Sequence, residues 1–348
     1  MDAYLNSIAT AVPPLALEQQ QICGLMNQYY AEELSPRSLD VMKKIFLHPG
    51  IRKRHFAADS LGDLIMIRNE DPDLRALRFQ NWAVSLSKEA LQKAAAKAGI
   101  RLKDIDAVIT NTCTGYLCPG ITSYLNELLD MSDSVRVYDL AGGGCGGAIP
   151  NLQLAKALVE SEKMIVAGIA VEICSATFQM GNDISLIVSN GIFGDGAAAF
   201  IFSPEKTGFK VLNSVSSIYP QYREAVRFIY KKGQLHNKLS PRLPEIIGSI
   251  ISPFTERLLS GINIRDIKNW AFHPGGEKIL GAAQAALSLS DDKIKISRDI
   301  LKEYGNMSSP SVMFAVENFI NKGVSGDKTC VLGFGAGLTI HGCILEAV

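Results

Sequence analysis

Cys145 stands in "AGGGCGGA" (141–148), with Gly142, Gly143 and Gly144 before it and Gly146 and Gly147 after it. A cysteine kept for packing sits among bulky apolar neighbours, whereas little but backbone flanks this one. The stretch that follows, "IPNLQLAKALVE" (149–160), has helical periodicity, so the thiol falls at a helix N-terminus. Unpaired N–H groups and the helix macrodipole stabilise a thiolate there and lower the pKa of the cysteine. The glycines let a substrate approach the backbone and leave N–H groups free to hold an oxyanion. Pro150 lies in the first turn, where its missing N–H is tolerated. The plainer alternative is a glycine-rich turn whose cysteine is incidental.

Two further polar residues share that setting. His273, in "AFHPGGEKIL" (271–280), ends a strand-like run just before a helix, and histidine is the usual proton donor or acceptor near neutral pH. Asn306, in "EYGNMSSPS" (303–311), follows Gly305 and precedes Ser308 and Ser309, which can cap the next helix. Each has an ordinary structural explanation alone: a hydrogen-bonded histidine, a turn and a cap. Together, thiol, imidazole and amide make a nucleophile with two donors that can hold an enolate or a tetrahedral oxyanion.

The elements that must position them alternate. Strand-like runs are read at 105–110, 135–140, 164–171, 196–202, 269–273, 329–334 and 338–345, and helical periodicity at 82–99, 147–160, 245–260, 277–287 and 308–321. This predicts α/β layers, with mixed sheets because the last two runs form a glycine-turned antiparallel pair. In each half a strand leads into a glycine-rich turn and a helix, at Cys145 and again at His273. The halves are placed at 1–205 and 206–348, with "SPEKTGFK" (203–210) as the seam and residues 30–80 as a cap over the first half.

Composition excludes other classes. The chain has 348 residues, 47% apolar and 20% charged, with 35 Lys plus Arg against 35 Asp plus Glu. No charge excess points to nucleic acid or an anionic membrane. Seven scattered cysteines (23, 113, 118, 145, 174, 330 and 343) have neither disulfide-scaffold density nor metal-site spacing, which favours free thiols in a reducing compartment. The N-terminal stretch has no basic segment leading into an apolar block, and no run of apolar residues is long enough to span a bilayer. A cytoplasmic location is expected.

The motifs, taken in order, resemble the chalcone synthase-like type III polyketide synthases of the thiolase superfamily. They are the cysteine before "LQLAKAL", "NGIFGDGAAAFIF" (190–202), "FHPGG" (272–276), "YGNMSS" (304–309) and "GFGAGLTI" (333–340), over a match running from about residue 40 to the end. The resemblance implies a five-layer αβαβα fold of two pseudo-duplicated halves, a homodimer, and no cofactor beyond acyl-CoA and malonyl-CoA as substrates. Cys145 would accept a starter acyl group, while His273 and Asn306 would promote decarboxylation of malonyl-CoA and stabilise the enolate. His273 would also suit pairing with the Cys145 thiolate.

Phe193 matches the gatekeeper between the coenzyme A tunnel and the cavity, and the second gatekeeper falls near His236. Cavity positions map onto Cys113, Cys174, Thr177, Ser189 and Ser308, and Cys118 onto the side chain passed across the dimer interface. Lys44, His48 and Arg52 lie in the basic patch implied for coenzyme A. For these cavity and surface positions, ordinary interior packing or a solvated basic face is the competing explanation.

Departures from the family lie around the nucleophile, where Gly146 and the preceding "AGGG" replace bulkier residues, and at 215–245, which is shorter and poorly matched. Extra room or altered backbone is expected beside Cys145. The competing functional readings are a ketoacyl synthase fed by acyl carrier protein, an acyltransferase to a non-carbon nucleophile, and a thiolase-fold scaffold subunit without condensing activity. The ketoacyl synthase reading is weakened because "HPGG" replaces that family's His-Gln-Ala-Asn.

Overall fold

The computed structural model describes residues 2–348. Strand β1 (Tyr4–Ala11) is followed by a capping layer of β2 (Ala16–Glu18), α1 (Gln19–Tyr30), α2 (Pro36–Phe46), β3 (Lys53–His55) and α3 (Leu61–Met66). Then come α4 (Pro72–Ala98), β4 (Ala107–Thr112), α5 (Ile121–Leu128), β5 (Arg136–Ala141), α6 (Ala148–Glu162), β6 (Val166–Glu172), α7 (Ile184–Ile192) and β7 (Gly196–Ser203). The remainder is β8 (Phe209–Ile218), the hairpin β9 (Val226–Lys231) and β10 (Gln234–Leu239), α8 (Leu243–Leu259), β11 (Ile267–Phe272), α9 (Glu277–Ala286), α10 (Asp291–Tyr304), α11 (Ser311–Ile320), β12 (Lys328–Gly335) and β13 (Thr339–Ala347).

Nine strands run in the order β11-β12-β13-β8-β1-β7-β6-β4-β5. A narrow seam divides them, because β1 and β8 pair only at Tyr4 with Lys210 and Leu5 with Phe209. On one side β4 is parallel to β5 and β6, β7 is antiparallel to β6, and β1 is antiparallel to β7. On the other, β11 and β12 are parallel, and β13 is antiparallel to both β12 and β8. The second side repeats the first with one edge strand fewer. Mixed sheets follow from the antiparallel final strand of each set.

Burial sets the layers. Helices α6 and α11 are sandwiched between the two strand sets, where Ile149, Leu152, Val312 and Met313 pack with Phe200 and Val331. Outside the first set lie α4 and α5; outside the second lie α8, α9 and α10. Helix, sheet, helix, sheet, helix is the thiolase architecture. Within it the C-terminal ends of β5 and β11 both run into turns that carry candidate side chains.

Two helix starts and the extent of the cap differ most from the sequence reading. Helix α4 begins ten residues earlier than 82, because the Asp71 carboxylate accepts from the Leu74 N–H (2.8 Å) and Pro72 opens the first turn. Its early Leu74 and Leu77 are exposed, so no apolar stripe announces this part. Helix α11 starts at Ser311 rather than 308, since Ser308 adopts a left-handed conformation (φ +59°). The cap is also broader than expected: Arg54 bonds to carbonyls of the first half, while the Arg52 N–H reaches the Lys302 carbonyl of the second. Among the described residues no helix is long and apolar enough to cross a membrane.

Candidate active site

Cys145 occupies a tight turn, Gly144–Gly146, between β5 and α6. Gly142 and Gly144 have φ of +83° and +55°, which favour glycine. The expected extra room beside the nucleophile is not there. A Cβ on Gly144 would lie 2.8 Å from the Ala336 backbone nitrogen, and one on Gly146 would lie 2.9 Å from His341 Cδ2 and 3.1 Å from the Gly335 nitrogen. Ala336 of the β12–β13 loop, with Gly335 at the end of β12 and His341 in β13, fills the space that side chains at Gly144 and Gly146 would need. Only Gly142 faces open space.

The thiol has a specific partner. Ser308 Oγ donates to Cys145 Sγ (3.3 Å) and lies 3.5 Å from Cys113 Sγ. Burial pushes the Cys145 thiol up to about 12; the Ser308 hydrogen bond opposes this and the nearby Glu172 carboxylate adds to it. The helix N-terminus, expected from sequence to lower the thiol, is opposed by desolvation in the resting site. The capping role expected for Ser308 and Ser309 is also corrected, since their hydroxyls turn inward. Ser309 Oγ donates to Glu172 Oε1 (2.7 Å).

Glu172 was not singled out from sequence. It is fully buried at the end of β6, and its Oε2 accepts from the Cys113 N–H (3.0 Å) and the Thr114 hydroxyl (2.9 Å). Burial raises its pKa, against those hydrogen bonds. A glutamate closing the otherwise apolar run "MIVAGIAVE" was the available signal, since Glu is rarely buried without partners.

His273 follows β11, where its N–H bonds to the Leu332 carbonyl (2.7 Å). The side chain is 2% exposed, Nδ1 has no hydrogen-bond partner, and burial lowers its pKa to about 3. At neutral pH the imidazole is uncharged. Asn306 is anchored from both sides: its N–H bonds to the Ile192 carbonyl (2.8 Å), and its own carbonyl accepts from the Gly194 N–H (3.0 Å). Its Oδ1 accepts from the Ser308 N–H (2.7 Å), which leaves Nδ2 as donor, 3.3 Å from the Gly275 carbonyl. Asn306 thereby fixes Ser308, and Ser308 fixes the thiol contact.

A cavity of about 640 Å³ gathers Cys145, His273, Asn306, Phe193, Thr177, Cys113, Cys174, Ser308, Lys44 and His48 in its wall. Four sequence candidates lie elsewhere. Ser189 bonds to the Ser185 carbonyl (2.7 Å) and faces a smaller neighbouring cavity. His236 sits in β10, whose two-residue alternation gives the main cavity Asn237 and Leu239 instead. Cys118 is exposed on the loop before α5, and Arg52 is held by the carboxylates of Glu18 (2.6 Å) and Glu303. Lys278 and Arg227 also line the cavity, and sequence reading did not select them.

A thiolase-type fold with two strand sets around a shared helical layer is the architecture of condensing enzymes. Residues 16–214 match the family described as FAE1/type III polyketide synthase-like protein, and residues 210–348 match the C-terminal domain of chalcone and stilbene synthases. The chain belongs to the type III polyketide synthase family and is a condensing enzyme of that type. It is 27% identical to a 3,5-dihydroxyphenylacetyl-CoA synthase of Streptomyces toyocaensis, over 97% of this chain and 88% of that protein. It is 25% identical to the alpha-pyrone synthesis polyketide synthase-like Pks18 of Mycobacterium tuberculosis, over 99% and 91%. In fold it is similar to PKS-I from the brown alga Ectocarpus siliculosus, with a TM-score of 0.92 at 23% identity, covering 100% of this chain and 98% of that one.

Proposed function

We propose that Cys145 carries a starter acyl group taken from a coenzyme A thioester and that His273 and Asn306 drive its extension by malonyl-CoA. The convergence of these three side chains on one cavity carries the reading. The Cys145 sulfur attacks the thioester carbonyl, the tetrahedral oxyanion collapses, and coenzyme A leaves as the thiol with the proton that Cys145 gives up. Malonyl-CoA then loses carbon dioxide, and the electrons of the broken C–C bond pass into an enolate. A neutral imidazole N–H and the Asn306 amide N–H hold the enolate oxygen. The enolate carbon attacks the Cys145 thioester, a C–C bond forms, and the thiolate departs. Because decarboxylation makes the carbanion, no strong base is required. An uncharged His273 is suited to that donor role.

Lys44, Lys278 and Arg227 in the cavity wall suit the phosphates of coenzyme A. This favours coenzyme A over acyl carrier protein as donor, with no cofactor beyond the thioesters. We also read residues 1–205 and 206–348 as the two halves. We place a second copy of the chain against edge strand β5, where Val137 is exposed and Cys118 lies nearby on the surface. The experiment is mass spectrometry of products from a panel of acyl-CoA starters with malonyl-CoA or malonyl-carrier protein. The native protein is expected to release extended acyl products from the coenzyme A pair, and Cys145→Ala none. Product from Cys145→Ala, or only from the carrier-bound donor, contradicts the reading.

A further inference from the structure

Ser308 has one hydroxyl proton and three acceptors within reach: Cys145 Sγ at 3.3 Å, Glu172 Oε1 at 3.4 Å and Cys113 Sγ at 3.5 Å. A carboxylate is a stronger acceptor than a thiol sulfur, so an unoccupied Oε1 would draw that proton away from Cys145. Ser309 prevents this by placing its own hydroxyl on Oε1 at 2.7 Å. Whatever directs Ser309 is therefore part of how the thiol is held.

The direction comes from the core. Asn151, on α6, turns Nδ2 toward the carbonyls of Ile109 (3.2 Å) on β4 and Ile169 (3.0 Å) on β6, which can only accept. The same nitrogen faces Asn111 Oδ1 (3.0 Å), which leaves Asn111 Nδ2 to donate to Ser309 Oγ (2.9 Å). Facing a donor on that side, the Ser309 hydroxyl has Glu172 as its acceptor. Asn111, Asn151, Ser309 and Glu172 are all buried, and none of the first three lines the cavity. The amide at 151 also carries a cost, since its Oδ1 is buried without a hydrogen-bond partner. Apolar side chains would fill these interior positions without that cost, so packing does not account for the pair.

We propose that Asn151, Asn111 and Ser309 form a one-way hydrogen-bond relay that gives Glu172 its own donor and so reserves the Ser308 hydroxyl for Cys145. Asn111 and Ser309 are then positioning residues for the nucleophile, acting without touching substrate. This rests on Cys145 as the reacting sulfur and goes beyond the roles proposed for His273 and Asn306.

The test is alkylation of Cys145 by iodoacetamide near pH 8, read by peptide mass spectrometry, in Ser309→Ala and Asn111→Leu. With Oε1 vacated or its donor misdirected, Ser308 turns to the carboxylate, and alkylation is expected to slow about threefold in each. Glu172 keeps a donor in this exchange, so its charge is retained. In Ser308→Gly, where no hydroxyl remains to be diverted, neither substitution is expected to slow alkylation further. Unchanged or faster alkylation, or a slowing that persists in Ser308→Gly, overturns the relay. A merely structural role predicts a different pattern, because loosened packing exposes the thiol in either background. If Asn111→Leu does not fold, Ser309→Ala decides alone. Acylation by acetyl-CoA supplies a second readout: its maximal rate is expected to fall by the same factor, with the half-saturating concentration unchanged. A rise in that concentration with the maximal rate preserved also overturns the relay. Failure of the native protein to take up any acyl group defeats the loading of Cys145, while the alkylation rates still decide the relay.

Discussion

The resting Cys145 is held as a thiol, and two neighbours set how hard it is to ionise. Burial raises its pKa to about 12, Glu172 raises it further, and the Ser308 hydroxyl opposes both by donating to sulfur. Removing the donor must therefore raise the thiol pKa, and removing the carboxylate charge must lower it. Ser308→Gly is the clean variant, because glycine accepts the +59° φ that any other residue would strain to adopt. Alkylation of Cys145 by iodoacetamide near pH 8 is expected to slow about tenfold in Ser308→Gly. In Glu172→Gln it is expected to quicken several-fold. Equal rates in all three proteins would show that burial alone governs the thiol.

Among the elements, the nucleophile turn is shaped by close approach of the β12–β13 loop. Gly144 combines a left-handed φ with a Cβ position 2.8 Å from backbone, whereas Gly142 has the left-handed φ in open space. Gly144→Ala is expected to cost about 3 kcal/mol by chemical denaturation, and Gly142→Ala only about 1–2 kcal/mol. Comparable costs would mean that the loop yields. Much of this scale was legible in sequence: the strands around Cys145 and His273 and the central helix α6 follow from apolar runs and periodicity. The β9–β10 hairpin was not, although "IYKKGQLHN" holds its signal in Lys232-Gly233, both with positive φ in a two-residue turn. The inward turn of Ser308 and Ser309 was hidden because their partners, Cys145 and Glu172, lie more than 130 residues away in the chain. The close approach of Gly335 and His341 to Gly146 was equally hidden, since a glycine marks room or crowding with the same letter.

For the whole molecule, acid sensitivity follows from buried neutral histidines. His273 and His341 have pKa values lowered by burial to about 3 and about 4, against 6.5 when free. The unfolded chain takes up their protons first, so this stability is fully present above pH 6.5 and is lost as pH falls toward those values. Between pH 7 and pH 5 each is expected to cost about 2 kcal/mol. His341→Gln, which keeps a polar group opposite Ser216, is expected to flatten the decline of melting temperature over that range. An unchanged slope would place the acid lability elsewhere.

The proposed chemistry turns on an acyl group carried by Cys145. Its most direct test is intact-protein and peptide mass spectrometry after mixing with an acyl-CoA, before and after adding malonyl-CoA. The expected result is one acyl adduct, mapped to Cys145, that disappears when malonyl-CoA is added and reappears in an extended product. No adduct on Cys145, or one that malonyl-CoA leaves in place, would contradict it.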